Sequence, residues 1–417
     1  MIKTMYEDAN KIIETAIREN LPNAAVEKAL KEHKLSGSIY LLAIGKAAWS
    51  MAKAATDCLG DTIKKGIIIT KYGHSGGAIP SVEIIEAGHP LSDHNTILGT
   101  QKAIDLANSL TGQDELLFLI SGGGSALFEK PLPGLSLANI VDINNQLLAS
   151  GADIVEINTI RKRLSCVKAG RFAEMCYPAR ILAVVLSDVL GNRLDAIASG
   201  PASPDQSTTA DAMAIVRKFN LNITNAMKEY LLRETPKQIQ NVDAVITGSV
   251  RSLCDSTANA ARSLGYTPVV LSSTINCEAS EAGKTIASIA NEIRSISKYS
   301  PKPPCAIIMG GETVVHLKSG GTGGRNQELA LTAAMYIQDL ENVVVFSYGS
   351  DGTDGPTDAA GGIVDGQTAY KLAAKGLSIQ KILADNDSYN GLKAADGLLF
   401  TGPTGTNVND VSVLLCR

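Results

Sequence analysis

Three side chains stand where an apolar run gives way to polar residues: Lys46, Asp188 and Arg325. Lys46 follows Gly45 at the end of Ile39 to Ile44, and Asp188 follows Ser187 at the end of Ile181 to Leu186. Lysine is a compact point charge and arginine a planar, permanent fork, so both suit phosphate or carboxylate. Asp188 is the candidate carboxylate on the acceptor side, as base or as metal ligand. Arg325 closes a stretch that begins at Gly310 and holds six glycines by Glu328. There Gly310 and Gly311 would let the backbone approach a ligand closely, and the helix start at Arg325 and Asn326 would face an anion. Glu312 is placed to pair Arg325, orienting the guanidinium and tying up its charge. A glycine-rich hairpin with a surface arginine would carry the same pattern.

Two further clusters have the right chemistry. Ser121, Gly122, Gly123, Gly124 and Ser125 follow the apolar run Leu116 to Ile120, where successive N–H groups can form an anion nest or simply a tight turn. Asp351, Asp354 and Asp358 share one glycine-rich loop and are candidates to hold Mg²⁺ directly or through water, although turn-forming aspartates look alike. Asn407 and Asn409, with Thr401, Thr404 and Thr406, offer neutral hydrogen bonds to a polar ligand. Together these types suit phosphoryl transfer, which needs charge neutralisation, oxygen ligands for a metal and a group that handles the acceptor hydroxyl. No P-loop and no G-x-G-x-x-G after a strand is present, and Leu127 breaks a nucleophile elbow around Ser125. His316 lies in an apolar–polar alternation and reads as ordinary strand.

The elements that would position these residues alternate. Amphipathic helix is expected over residues 1–33, then strands at 39–44, 66–70, 84–87, 116–120 and 181–186 separated by helices. After polar residues near Glu234 the alternation resumes, with strands at 244–247, 268–271, 306–309, 343–348, 398–400 and 411–415 and a helix from Ala279 to Ile296. This predicts α/β domains with largely parallel sheets, divided as 1–236 and 237–417. In open α/β sheets ligands sit at the carboxyl ends of strands, so the loops are expected to share a cleft between the domains.

The chain has 417 residues, 45% of them hydrophobic and 19% charged, the balance of a globular protein. A net charge of −4 and a pI near 5.8 argue against a nucleic-acid-binding surface. The aliphatic runs are too short to cross a bilayer and Met1 to Asn10 lacks an apolar signal core, so a cytoplasmic protein is expected. Seven scattered cysteines fit neither a disulfide framework nor a zinc site.

The motifs resemble those of the type-2 glycerate kinases, whose C-terminal part is the MOFRL domain. The resemblance rests on the stretches starting at Gly310, Gly323, Ser350 and Thr401, and on Gly45 to Ala48, Lys71 to His74, Glu86 to Pro90, Ser121 to Ser125 and Leu186 to Gly191. It implies a Rossmann-like N-terminal domain and ATP- and Mg²⁺-dependent phosphorylation of D-glycerate, usually at the 2-hydroxyl. It also implies active-site positions at Lys46, Asp188 and Arg325. A monomer or homodimer is expected. Members of this family have also been labelled hydroxypyruvate reductases, which the missing dinucleotide fingerprint argues against; a sugar-acid sensor is a more distant alternative.

Overall fold

The computed structural model describes residues 2–295 and 300–417, so Met1 and Ile296, included in two of the expected helices, lie outside the described residues. Strands β1 (Ser38–Ile44), β2 (Ile63–Lys71), β3 (Val82–Ala87), β4 (Asp114–Ile120), β5 (Arg180–Leu186) and β6 (Val242–Gly248) form one sheet in the order β3-β2-β1-β4-β5-β6. The β1 pairings with β2 and β4, and those of β2 with β3 and β4 with β5, are parallel. This is the strand order of dinucleotide-binding folds, with its topological switch between β1 and β4.

Both faces of this sheet are covered. Leu42, Ile44, Phe118 and Ile120 enter one core, while their neighbours Leu41, Ala43, Leu117 and Leu119 enter the other. Burial on both sides removes the polar alternation, which is why β1 and β4 read as unbroken apolar runs. Helix Ala48–Leu59 joins β1 to β2, and helix His94–Ser109 joins β3 to β4 from a capping box between Asp93 and Thr96. Four more helices, Leu137–Ala149, Ile154–Leu164, Thr209–Lys218 and Asn225–Leu231, close on a small core of their own.

The second sheet comprises β7 (Thr267–Ile275), β8 (Cys305–Gly311), β9 (Val343–Gly349), β10 (Gly361–Asp365), β11 (Leu398–Leu399) and β12 (Asp410–Cys416), in the order β11-β10-β9-β12-β8-β7. Here the expectation of a largely parallel sheet fails. Only β7 and β8 run parallel, whereas β12 is antiparallel to both β8 and β9, and β10 to both β9 and β11. A loop rather than a helix joins β9 to β10, and an apolar run carries no mark of its direction. Strand β10 and the short helices Thr368–Ala374, Ile379–Ala384 and Ser388–Ala394 occupy residues that composition assigns no element.

The chain forms two compact units, Pro22–Thr247 and Met1–Leu21 with Gly248–Arg417, so the divisions fall at 21/22 and 247/248 rather than at 236/237. Two contacts explain this. Helix Ile2–Glu19 carries Asp8, which accepts from Tyr266 Oη (2.9 Å) and Arg417 Nη2 (2.9 Å), and β6 is an edge strand of the first sheet. Among the described residues no helix is long and apolar enough to cross a membrane.

Candidate active site

The sequence-predicted residues fall into two groups, one in each unit. In the unit 22–247, Lys46, the Ser121–Ser125 loop and Asp188 come together at the carboxyl ends of β1, β4 and β5. Gly45 leaves β1 with φ +109°, and a Cβ there would lie 2.3 Å from Ser121 Oγ, so glycine is required. Ser121 is itself buried and its hydroxyl bridges the two strands, donating to Ile44 O (3.1 Å) and accepting from Ala47 N (3.1 Å). Lys46 N donates to Gly122 O (2.9 Å), and the Lys46 side chain is exposed. A Cβ on Gly122 would lie 2.4 Å from Asp188 Oδ2, so the absent side chain is what lets the Asp188 carboxylate reach the loop.

The rest of the loop is held from beneath. Gly123 is left-handed (φ +84°) and Gly124 N is spent on Ser121 O (3.3 Å), so only part of the expected nest faces outward. A Cβ on Gly124 would meet Ala198 at 2.7 Å. Ser125 Oγ shares a hydrogen bond with Ser199 Oγ (3.0 Å), and Ser125 O accepts from Lys168 Nζ (2.8 Å) and Arg161 Nη2 (3.2 Å). Lys168 is fully buried and ion-paired with Glu129 (2.8 Å); burial pulls its ammonium pKa down. Ala198 and Ser199 both take positive φ, a strained conformation for residues with a Cβ, packed against this loop.

Three residues join this site that residue-type reasoning did not single out. Lys71 ends β2, His74 follows it, and His89 follows β3. His74 Nδ1 donates to Lys46 O (3.1 Å), and a Cβ on Gly123 would meet both the His89 ring (3.0 Å) and Lys46 Cγ (3.3 Å). Burial, followed by the charges of Lys46, Lys71 and His74, lowers the His89 pKa and keeps the imidazole neutral. Isolated in polar loops, these side chains carry no spacing signal; only the motifs starting at Lys71 and Glu86 marked them.

In the other unit Arg325 is not a free cation. Its Nε and Nη2 donate to Asp410 (2.6 and 3.2 Å) and its Nη1 to Glu312 (2.9 Å), which leaves two of its five N–H donors. The Glu312 pairing is as expected; the Asp410 fork is an addition from the first residue of β12. Burial raises the Asp410 pKa to about 6 despite the arginine. Gly310 and Gly311 lie inside β8, where a Cβ would strike Cys254 Sγ (2.4 Å) and Ile275 O (2.1 Å). Their need for glycine is therefore strand and helix packing. Asn326 is buried, hydrogen-bonded through its Oδ1 to Ser347 (2.5 Å) and through its Nδ2 to Asp354 (3.3 Å).

Asp354 caps helix Arg325–Tyr336, accepting from Asn326 N (3.1 Å) and Gln327 N (2.8 Å), and burial raises its pKa to about 7. Asp351 accepts from Thr353 N (3.0 Å) in a local turn, and Asp358 accepts from Tyr389 Oη (2.8 Å). Asn407 is exposed and accepts from Asn409 N (3.3 Å). Among the described residues, no group of three or more His, Cys, Asp or Glu could hold a metal ion. The donor set does not make a protein-only magnesium cage at Asp351 and Asp354. Asp188 at the glycine loop fits the single carboxylate that a phosphate-borne Mg²⁺ takes.

Lysines, a glycine loop and one carboxylate gathered at the carboxyl ends of a parallel α/β sheet, at its switch point, suit a phosphotransferase. Known proteins narrow the class. The domain of unknown function DUF4147 matches residues 8–232 and the MOFRL family matches residues 305–410. A D-glycerate 2-kinase of Thermotoga maritima is 51% identical over 408 residues, 97% of this chain and 97% of that protein. A glycerate 2-kinase of Pyrococcus horikoshii is 42% identical over 92% of this chain and 89% of that one. A crystal structure of glycerate kinase from Thermotoga maritima matches with a TM-score of 0.97 at 50% identity, covering 100% of both chains. The chain belongs to the glycerate kinase family.

Proposed function

We propose that this protein transfers the γ-phosphoryl group of ATP to the 2-hydroxyl of D-glycerate, giving 2-phosphoglycerate and ADP. The observation that carries the reading is the meeting of Asp188 Oδ2 with Gly122 beside the exposed Lys46, in a chain half identical to a D-glycerate 2-kinase. Asp188 accepts the hydroxyl proton as the oxygen attacks the γ-phosphorus, and the bond to the bridging oxygen of the β-phosphate breaks. Lys46 and Lys71 neutralise charge on the phosphoryl oxygens, and His89, its pKa lowered chiefly by burial, donates a hydrogen bond there as a neutral imidazole. Asp188 is also the carboxylate that would hold a Mg²⁺ carried by ATP, which would supply charge neutralisation to the phosphates. Arg325, fixed by Asp410 and Glu312, presents its two remaining donors to a carboxylate or phosphate. The protein acts in the cytoplasm as a monomer or homodimer.

Incubation with ATP, Mg²⁺ and D-glycerate, followed by phosphorus NMR of the product, tests the reading. The expected product is 2-phosphoglycerate; 3-phosphoglycerate alone overturns the regiochemistry. NADH oxidation with hydroxypyruvate and no glycerate-dependent ADP release overturns the kinase.

A further inference from the structure

We propose that the cleft beside the Asp188 loop is the nucleoside subsite, taking the base and ribose of the phosphoryl donor. This rests on the kinase reading. The cleft has a volume of about 680 Å³ and lies between helices Ile154–Leu164 and Thr209–Lys218 and the loop after β5. That size falls within the roughly 300–1,000 Å³ of sites for small organic ligands.

Its chemistry excludes the charged ends of the substrates. Lys162, Arg193 and Lys218 line it, and each is already ion-paired: Lys162 with Asp195 (3.2 Å) and Asp205 (3.3 Å), Arg193 with Asp195 (2.8 Å), Lys218 with Glu156 (2.6 Å). With Asp211 the lining holds one carboxylate more than it has cations, so neither triphosphate nor glycerate gains from entering. What remains is apolar surface with polar edges. Ile154 and Val155 are 64% and 50% exposed in the first turn of their helix, an arrangement that core packing does not explain. Val189 and Leu190 line the same cleft. A flat heterocycle between such walls buries apolar faces, and Asn158 and Gln206 supply edge hydrogen bonds. Asp211 Oδ2 caps its helix by accepting from Thr208 N (2.7 Å) and Thr208 Oγ1 (2.8 Å), and its other oxygen is the acidic acceptor for ribose hydroxyls, as carboxylates serve in other nucleotide sites.

Two connections tie the cleft to the phosphate-handling loop. Val189 and Leu190 directly follow Asp188, whose carboxylate lies against Gly122. Asn158 Oδ1 accepts from Ser199 Oγ (3.4 Å), and Ser199 Oγ shares a hydrogen bond with Ser125 Oγ (3.0 Å) at the end of the glycine loop. A nucleoside held here leads its phosphates toward Asp188 and the glycines.

Two variants of exposed lining residues, Ala214→Trp to fill the cleft and Val155→Asp to put a charge on its wall, test the assignment. Calorimetric titration uses ADP and, separately, inorganic tripolyphosphate, which carries phosphates and no nucleoside. The expected result is a rise of tenfold or more in the ADP Kd for both variants, with tripolyphosphate Kd and the KM for D-glycerate within twofold of wild type. Unchanged ADP binding in both variants overturns the proposal, as does equal weakening of tripolyphosphate. Wild type that binds ADP through this cleft but releases none from ATP with D-glycerate would overturn the kinase reading and leave the subsite standing.

Discussion

Lys46 and Arg325 carry the same formal charge in opposite circumstances. Lys46 is exposed beside a glycine loop, whereas the Arg325 guanidinium already serves Asp410 and Glu312. Lys46→Ala is therefore expected to cut kcat/KM for ATP by about 100-fold or more, with a stability change within about 0.5 kcal/mol in a denaturant titration. Arg325→Lys keeps the charge but cannot reproduce the fork on buried Asp410, and is expected to cost about 1–3 kcal/mol by the same titration. Asp354 gives a pH signature. Its carboxyl titrates near 7 in the fold, above its unfolded value, so the folded state binds the extra proton in between. The stability it contributes is full below about pH 4 and is lost as pH rises through about 7. Wild type should lose stability relative to Asp354→Asn as pH rises over that window, and a pH-independent difference would refute the assignment.

At the level of elements, the loops after β4 and β5 set one another's position. Gly122 has room for no Cβ beside Asp188 Oδ2, and its backbone does not otherwise demand glycine. Gly122→Ala is expected to displace the carboxylate and lower kcat tenfold or more while the protein remains folded by circular dichroism. Much of this site is legible in the amino-acid sequence, because β1, β4 and β5 are buried on both faces and their ends show as sudden breaks at Gly45, Ser121 and Ser187. The glycines at 310 and 311 have a packing role that their letters do not disclose. A residue lacking Cβ to admit Ile275 or Cys254 has the same letter as one lacking it to admit a phosphate. The capping role of Asp354 is silent likewise, since capping a helix from another segment leaves no pattern within its own loop. Pairing direction in the second sheet is equally silent, and so is the buried support of Lys168 beneath Ser125.

On the scale of the whole chain, the unit 22–247 is an insertion into the other, because helix Ile2–Glu19 packs with residues after 248. Removing residues 2–21 exposes the surface that Met5, Ala9, Ile12, Ile13 and Ala16 bury and strips Tyr266 and Arg417 of Asp8. Hydrogen exchange should then accelerate in β8, β9 and β12 and stay unchanged in β1 and β4; acceleration in both sheets would refute the division. β12 also bears on how the chain emerges from the ribosome. It is translated after the other eleven strands, yet it is the partner that β8 and β9 share. A nascent chain arrested before Asp410 has a finished first sheet and, in the second, two strands with open edges, the kind that recruits chaperones or aggregates. The same arrest withholds the carboxylate that aims Arg325. Pairing of β8 with β9 through β12 and orientation of that guanidinium thus depend on the same strand.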